Sequence, residues 1–336
     1  MLVTVTGGSG FVGAHTVAEL VRGGHEVRVL ARAESAVDSA LRPLGVPGAE
    51  VVVGDVTDER AVVAAVRGAD AVVHCASVYS FDRRRRAEML RTNVRGTELV
   101  LGAATRQGVG RVVHVSSIAA LFGAGVRVLR EDTPVGTSRE PYAATKAGSE
   151  AVARRHQERG DPVVISYPPA LLGPHDPKPG DQTCRLRDLL RGLVPVWPAG
   201  GLQLGDVRDT AALHAALLAP GVTGRHFGPG RYLTTAEYVR AVREVTGRAL
   251  PALFPPAAAL VPVGRLVDLV QPWWPWHIPA EHGAIATAGA ATRVDPSAST
   301  AALPPRPFRD TVTDTVRWMA DTGVLPPQRA GLAASR

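Results

Sequence analysis

The sequence predicts an α/β fold, in which helices cover both faces of a doubly wound parallel sheet. Short valine-rich runs alternate with longer alanine-rich segments of helical spacing through residues 1–170, which is the pattern of repeated β-α-β units. A glycine-rich loop follows the first apolar run and opens the first helical segment, as expected where such a series begins. The chain is 336 residues long and 45% apolar, which is sufficient for a sizeable core.

The elements follow from this alternation. We expect strands at Leu2–Thr6, Glu26–Leu30, Glu50–Val53, Ala71–His74, Arg111–Ser116 and Val163–Tyr167. Helices are expected between them at Val12–Arg22, Glu59–Val66, Arg91–Arg106 and Pro141–Glu158.

Domain organisation follows from a change of composition after Pro168, where prolines become frequent. We expect residues 1–172 to form a dinucleotide-binding domain, with a return strand near residues 222–230. Residues 173–221 and 231–336 are expected to form a smaller, irregular C-terminal lobe that binds the substrate.

Composition and charge exclude several classes of function. The net charge is +7, but the basic residues are dispersed without interleaved aromatic residues, so we expect no nucleic-acid partner. The dense run Arg83–Arg86 is interpreted as a solvated helix face. Charges and prolines interrupt the apolar stretches, which argues against membrane insertion. Cys75 and Cys184 lack metal-site or disulfide spacing, so no metal is expected. Met1–Thr6 lacks a signal-peptide pattern, which favours a cytoplasmic protein.

The glycine-rich loop Thr6–Gly13 predicts a nucleotide site. Glycines at positions 7, 10 and 13 permit a tight turn, close approach of the backbone to a pyrophosphate, and close packing of helix on strand. Because the loop joins the first strand to the first helix, it indicates a Rossmann fold that binds a dinucleotide.

The end of the second expected strand bears on the choice of dinucleotide. An acidic residue there binds the ribose 2′-hydroxyl of NAD, but this sequence has Ala31 followed by Arg32. A guanidinium suits a 2′-phosphate, so NADP (NADPH) is the preferred cofactor and NAD remains possible. Alternatively, Arg32 is an ordinary surface arginine.

Tyr142 and Lys146 form the candidate catalytic pair. A spacing of four places both side chains on one helix face, and lysine is otherwise found only at position 178. A neighbouring ammonium stabilises a phenolate and lowers the pKa of the phenol. The pair could therefore exchange a proton with a carbonyl oxygen.

These residues belong to a longer series of motifs. The series comprises TGGSGFVG at Thr6, VVGDVTD at Val52, HCAS at His74, RTNVRGTELVL at Arg91, VVHVSS at Val112, YAATK at Tyr142 and YPPALLGPHD at Tyr167. By these motifs the sequence resembles the extended short-chain dehydrogenase/reductases, also called the NAD-dependent epimerase/dehydratase family. The resemblance covers most of the first 235 residues.

The resemblance implies roles for further residues. Asp55 would contact the adenine, Ala76 and Ser77 would line the adenosine ribose, and Asn93 would support Lys146 through water. The implied catalytic residues are Ser117, Tyr142, Lys146 and Asn93. The implied cofactor-binding residues are Gly7, Ser9, Gly10, Phe11, Val12, Gly13, Arg32, Asp55, Val56, Ala76, Ser77, Tyr142, Lys146, Tyr167, Pro168 and Ala170.

The catalytic serine could be Ser116 or Ser117. The family usually places this serine just past the strand end, so we expect Ser117 to hydrogen-bond the substrate oxygen.

Two departures from the family pattern concern the substrate. Nucleotide-sugar members commonly carry arginines at the places of Tyr167 and Leu202. Their absence here makes a nucleotide sugar the less favoured substrate, and the sequence resembles the dihydroflavonol-reductase-like and 3β-hydroxysteroid-dehydrogenase-like branches. Aromatic residues of the second lobe could line an apolar pocket or form core; they are Trp197, Phe254, Trp273, Trp274 and Trp276.

The resulting functional prediction is an NADP-dependent oxidoreductase, a carbonyl reductase or alcohol dehydrogenase that interconverts a ketone or aldehyde and an alcohol on an apolar small molecule. One alternative is a nucleotide-sugar epimerase or dehydratase that retains NAD(P). The other is a non-catalytic NADP-binding sensor. A homodimer or a monomer is expected.

Overall fold

The computed structural model describes residues 1–80, 83–273, 282–298 and 303–334. Its strands are β1 (Leu2–Thr6), β2 (Glu26–Ala31), β3 (Glu50–Val53), β4 (Ala71–His74), β5 (Arg111–Val115), β6 (Val128–Leu129), β7 (Val163–Tyr167), β8 (Ala170–Leu172), β9 (Gly201–Asp206), β10 (Arg225–Phe227), β11 (Arg231–Thr234) and β12 (Arg293–Val294).

Its α-helices are α1 (Phe11–Arg22), α2 (Glu34–Leu41), α3 (Glu59–Val66), α4 (Arg86–Met89), α5 (Gly96–Arg106), α6 (Pro141–Glu158), α7 (Asp181–Arg191), α8 (Val207–Ala216), α9 (Thr235–Thr246), α10 (Ala257–Val270), α11 (His282–Ala290) and α12 (Phe308–Asp321).

A seven-stranded sheet in the order β10-β7-β5-β4-β1-β2-β3 forms the centre of the molecule. Every strand pair in it is parallel. The order changes direction between β1 and β4, and ligands of such sheets bind at this switch point, beyond the carboxyl ends of the strands. The predicted doubly wound α/β fold is confirmed.

Apolar residues on both faces of the sheet bury its central strands. Successive strand residues point to opposite faces. Val72 therefore joins the core beneath α3 and α5, whereas Val73 joins the core beneath α1 and α2. This explains why the strands are continuous apolar runs rather than alternating ones.

Helix α8 packs with the dinucleotide-binding unit, although the sequence-based boundaries assign it to the C-terminal lobe. Leu213 and Leu217 belong to the core that covers β1 and α1. The ring of His214 hydrogen-bonds Thr16 on α1 at 2.9 Å and Ser166 on β7 at 3.2 Å. The prolines after Pro168 suggested that the second lobe begins at residue 173 and includes α8, but burial of this apolar helix face places residues 207–218 on the sheet.

The C-terminal lobe has a core of its own and a three-stranded sheet in the order β11-β9-β8. Trp197 is buried in that core and Phe254 packs against it, so core packing is the role that the structure gives these two residues. Trp273 is 77% exposed. Trp274 and Trp276 lie outside the described residues.

The helix expected at Arg91–Arg106 differs from the observed one. It is preceded by α4, and its first part, Leu90–Arg95, is a π-helical turn that leads into α5. The hydroxyl of Thr97 donates to the carbonyl of Asn93 at 2.6 Å, and the Asn93 side chain turns inward to bind a loop. Short π-helical segments within longer helices are frequent at functional sites.

Candidate active site

The glycine loop lies at the switch point between β1 and β4. Gly7 has φ +74°, and a Cβ on it would lie 2.7 Å from the backbone of Ala76. A Cβ on Gly13 would overlap the carbonyl oxygen of Gly7. The loop can therefore pass close to β4 and seat α1 on β1 only because side chains are absent there.

The first amide groups of helix α1 are not bound by a capping side chain. Gly10 is the N-cap and supplies no side-chain cap, and the first turn contains no acidic residue. Free amides at a helix N-terminus bind anions. Ser9, Phe11 and Val12 are partly exposed beside them. This side-chain-free cradle fits the pyrophosphate of a dinucleotide.

The ends of β2 and β3 form the expected adenosine side. Arg32 is exposed after β2. Its charge contributes, after the Arg85 hydrogen bond and charge, to lowering the pKa of Glu88. Asp55 accepts hydrogen bonds from the amide and hydroxyl of Thr57 at 2.9 and 2.8 Å, and the next residue, Val56, is buried. A basic surface thus adjoins the end of β2.

Tyr142 and Ser117 come together over the carboxyl end of β5. Tyr142 lies in the first turn of α6, whose N-cap Glu140 accepts hydrogen bonds from the amides of Tyr142 and Ala143. Burial raises the pKa of Tyr142 to about 12, and a hydrogen bond with the Ser117 side chain opposes that rise. The serine that the family resemblance favours therefore lies beside the phenol.

Ser116 is placed differently from its neighbour. It is buried, and its hydroxyl has no hydrogen-bond partner within the described part of the chain. Ser117 is partly exposed and also accepts a hydrogen bond from the Ala119 amide at 3.2 Å.

Lys146 lies one turn beyond Tyr142, with its side chain buried. Its Nζ donates to the carbonyl of Val115 at 3.1 Å. Burial lowers the pKa of Lys146 to about 8, while Glu150 and Cys75 act to raise it. The sequence led us to expect an ammonium that lowers the pKa of Tyr142; in the structure burial dominates and that pKa is raised.

Asn93 connects the loop after β4 to α6. Its Oδ1 accepts from the Val78 amide at 2.7 Å and from the Ser77 hydroxyl at 3.1 Å. Its Nδ2 donates to the Val78 carbonyl and to the hydroxyl of Thr145, the residue before Lys146. Asn93 thus fixes the position of the loop after β4 relative to α6, the helix that carries Tyr142 and Lys146.

The last expected cofactor residues lie at the end of β7. Tyr167 is 0% exposed, and its hydroxyl donates to Glu150 at 2.6 Å. Its side chain is therefore committed to the core, and the expected contact of this residue with the cofactor stays a prediction. Pro168 is buried, with its carbonyl accepting from Ile118, and Ala170 is partly exposed at the start of β8.

Sequence reasoning missed two residues near the site. The ring of Tyr79 contacts the ring of Tyr142 edge-on, with 4.5 Å between centroids. Glu150 is completely buried one turn beyond Lys146. An aromatic residue just after the HCAS motif and a carboxylate four residues after a catalytic lysine were the available signals.

A sequence model described as the NAD dependent epimerase/dehydratase family matches residues 3–229. The chain belongs to that family. The predicted membership of the extended short-chain dehydrogenase/reductases is thereby confirmed, and the protein is an oxidoreductase of this class, whose cofactors are nicotinamide dinucleotides.

Individual relatives extend the match over the chain. It is 30% identical to the "Sterol demethylase protein B" of Methylococcus capsulatus over 97% of this chain and 100% of the relative. It is 35% identical to a "Putative dihydroflavonol 4-reductase" of Synechocystis over 70% of this chain and 68% of the relative. The crystal structure of gox2253 is similar with a TM-score of 0.78 and 27% identity, over 96% of this chain and 99% of that one.

Within the described residues, no group of His, Cys, Asp or Glu side chains is arranged to hold a metal ion. The helices of that same part include none with the length and apolar character needed to span a membrane.

Proposed function

We propose that the protein is an NADP-dependent carbonyl reductase or alcohol dehydrogenase that interconverts a ketone or aldehyde and an alcohol on an apolar small molecule. The observation that carries this proposal is the placement of the Ser117 side chain beside the Tyr142 phenol, with Lys146 one turn further along α6. Two hydroxyl groups at one point can hold a carbonyl oxygen, and one of them can supply a proton.

Tyr142 is the proton donor in the reducing direction. Because its pKa is raised to about 12, the phenol is protonated at neutral pH. It can pass its proton to the substrate oxygen as that oxygen acquires alkoxide character. The Lys146 ammonium then stabilises the phenolate that remains. Ser117 orients the oxygen throughout.

The cofactor, when bound, supplies the hydride that reduces the carbonyl carbon. Gly7, Gly10 and Gly13 would hold its pyrophosphate against the start of α1. Arg32 would meet a 2′-phosphate, because Ala31 offers no carboxylate to repel one. In this division of labour residues 1–172 hold the cofactor, together with β10, and the C-terminal lobe covers the substrate.

An apolar substrate is supported by the side chains around the proton donor and by the names of relatives. The Tyr79 ring lies against Tyr142, and Leu202 occupies a place where nucleotide-sugar enzymes commonly carry arginine. One relative is named for a sterol and another for a dihydroflavonol. We extend these names to a polycyclic, largely apolar substrate for this chain.

The proposal is tested by titrating the purified protein with NADPH and NADH while following nucleotide fluorescence. A panel of sterol-like and flavonoid-like ketones is then scored for loss of NADPH absorbance. Preferential binding of NADPH, with its stoichiometric consumption on a ketone, is the expected result. Tightly retained NAD with no net consumption would overturn the reductase and favour an epimerase or dehydratase. Binding of NADPH with no turnover of any carbonyl or sugar substrate would favour the sensor.

A further inference from the structure

Four side chains follow one another along α6 at intervals of four residues: Tyr142, Lys146, Glu150 and Arg154. Residues at this spacing lie above one another on one face of a helix. Long side chains in helices also lean toward the N-terminus. Glu150 therefore lies between Lys146 and Arg154 on that face of the helix.

Glu150 is a buried carboxylate that two neighbouring side chains hold in place. Its Oε1 accepts from the Arg154 guanidinium at 2.7 Å and from the Tyr167 hydroxyl at 2.6 Å. Arg154 is itself held by the Thr133 carbonyl at 2.9 Å. The second oxygen, Oε2, is buried and accepts no hydrogen bond from any described residue. A carboxylate that is 0% exposed and only half satisfied is costly to bury, so its position calls for a role.

The other titratable groups that face Lys146 do not carry a negative charge at neutral pH. His74 on β4 and His114 on β5 are buried, and burial holds both imidazole pKa values below the ordinary range. Burial raises the pKa of the Cys75 thiol, also next to β4, to about 12. Tyr142 is protonated for the same reason. Glu150 is thus the carboxylate whose charge acts to raise the pKa of Lys146, while it is also paired with Arg154.

We propose that Glu150 is a positioning residue that keeps the Lys146 ammonium charged in its buried site, so that it can stabilise a Tyr142 phenolate. Tyr167 and Arg154 hold the carboxylate in place from β7 and from the next turn of α6. Without Glu150, burial alone would favour the neutral amine. The consequence for catalysis depends on the proposed reductase function, whereas the effect on the charge of Lys146 does not.

The test uses the scarcity of lysine in this chain. With only Lys146 and Lys178 present, full-length protein labelled with ¹³C-lysine gives two side-chain resonances, which Lys178→Arg assigns. The pKa of Lys146 is read from its ¹³Cε shift between pH 6 and 11, both with and without NADP⁺. We expect Glu150→Gln to lower that pKa by about one pH unit or more, and Glu150→Asp to restore most of the loss.

Glu158→Gln is the matched control, because Glu158 lies on the same helix but is exposed; it should leave Lys146 unchanged. If Glu150→Gln does not fold, the double variant Glu150→Gln/Arg154→Gln is compared with Arg154→Gln alone. The double variant should show the lower pKa of Lys146, because the two proteins differ only in the charge at residue 150. A Lys146 titration that is the same in the Glu150 and Glu158 variants would overturn the proposal. That result would leave the reductase proposal standing, since NADPH consumption is measured separately.

Discussion

The ring of Tyr79 meets the ring of Tyr142 edge-on at 4.5 Å, and the Tyr79 hydroxyl reaches Asp181 on α7 at 3.4 Å. Tyr79 thus connects the proposed proton donor to the C-terminal lobe while remaining 42% exposed. We expect Tyr79→Ala to raise KM for apolar ketones by about tenfold, since an aromatic contact and its buried area are lost. Steady-state kinetics on a panel of ketones of increasing size measures this effect.

Tyr79→Phe is the matched control for the aromatic contact, because it keeps the ring and removes only the hydroxyl. It should stay within about threefold of the wild type, as expected for a long, exposed hydrogen bond. Equal losses in the two variants would mean that the link to Asp181, rather than the ring, matters.

Replacing Tyr142 with phenylalanine should lower kcat by at least about 100-fold, the usual scale for general acid catalysis. The Kd for NADPH should change little, because the ring and the helix remain. Single-turnover NADPH oxidation is the measurement, with Tyr232→Phe on β11 as the same change away from the site. Near-normal turnover by Tyr142→Phe would disprove the assignment.

The two serines extend that experiment. Ser117→Ala should lower kcat because it removes the hydroxyl beside the phenol. Ser116→Ala should lower kcat less, because it removes a hydroxyl that has no partner among the described residues. A larger loss of kcat in Ser116→Ala than in Ser117→Ala would mean that Ser116 binds the substrate oxygen.

Arg32→Asp should weaken NADPH binding at least about tenfold more than NADH binding, because a charge-assisted bond to the 2′-phosphate is replaced by repulsion. Fluorescence titrations of both nucleotides provide the ratio. Arg159→Asp, at an exposed position beyond α6, controls for the change in net charge. Equal weakening of the two nucleotides by Arg32→Asp would refute a phosphate contact.

Buried histidines should make the protein sensitive to acid. Burial lowers the pKa of both His74 and His214 to about 3, from an ordinary value of 6.5. Because the folded pKa lies below the unfolded one, the stability they contribute is intact above pH 6.5. It is lost as the pH falls from there toward 3. The urea concentration at the unfolding midpoint, measured between pH 8 and 5, should therefore decrease once the pH is below 6.5.

A variant separates this effect from general acid denaturation. His214→Gln should reduce the slope of unfolding free energy against pH by up to about 1.4 kcal/mol per pH unit. His25→Gln, at a partly exposed histidine, should not. An unchanged slope in the His214 variant would contradict the assignment of that ring as neutral and buried.

Gly13→Ala should destabilise the fold by about 2–3 kcal/mol, since the new methyl group would overlap the carbonyl of Gly7. NADPH binding should weaken with it, because α1 must move away from β1. Gly110→Ala is the control: its Cβ would lie 3.6 Å from the nearest atom, the Asp70 carbonyl oxygen. Denaturant unfolding of both variants gives the comparison, and similar stabilities would argue against tight seating of α1.

Local patterns predicted the central sheet well, because a parallel strand buried on both faces is a continuous apolar run that the sequence displays directly. The glycine loop and the Tyr142–Lys146 spacing are equally local. What they could not predict depends on partners distant in sequence. The Tyr167 hydroxyl points inward because Glu150 on α6 accepts its hydrogen bond. Helix α8 packs on the sheet, where the His214 ring hydrogen-bonds Thr16 and Ser166. Tyr79 gains significance only when folding brings it to Tyr142.

The position of β10 at the edge of the seven-stranded sheet, paired with β7, constrains how this enzyme can be rebuilt. The chain leaves the sheet after β7, forms part of the second lobe, and then comes back to contribute α8 and β10. Cutting the gene after residue 172 would leave an exposed strand edge and an uncovered apolar face. New specificity must therefore be introduced by exchanging the inserted segments between their anchor points, rather than by fusing a different C-terminal half.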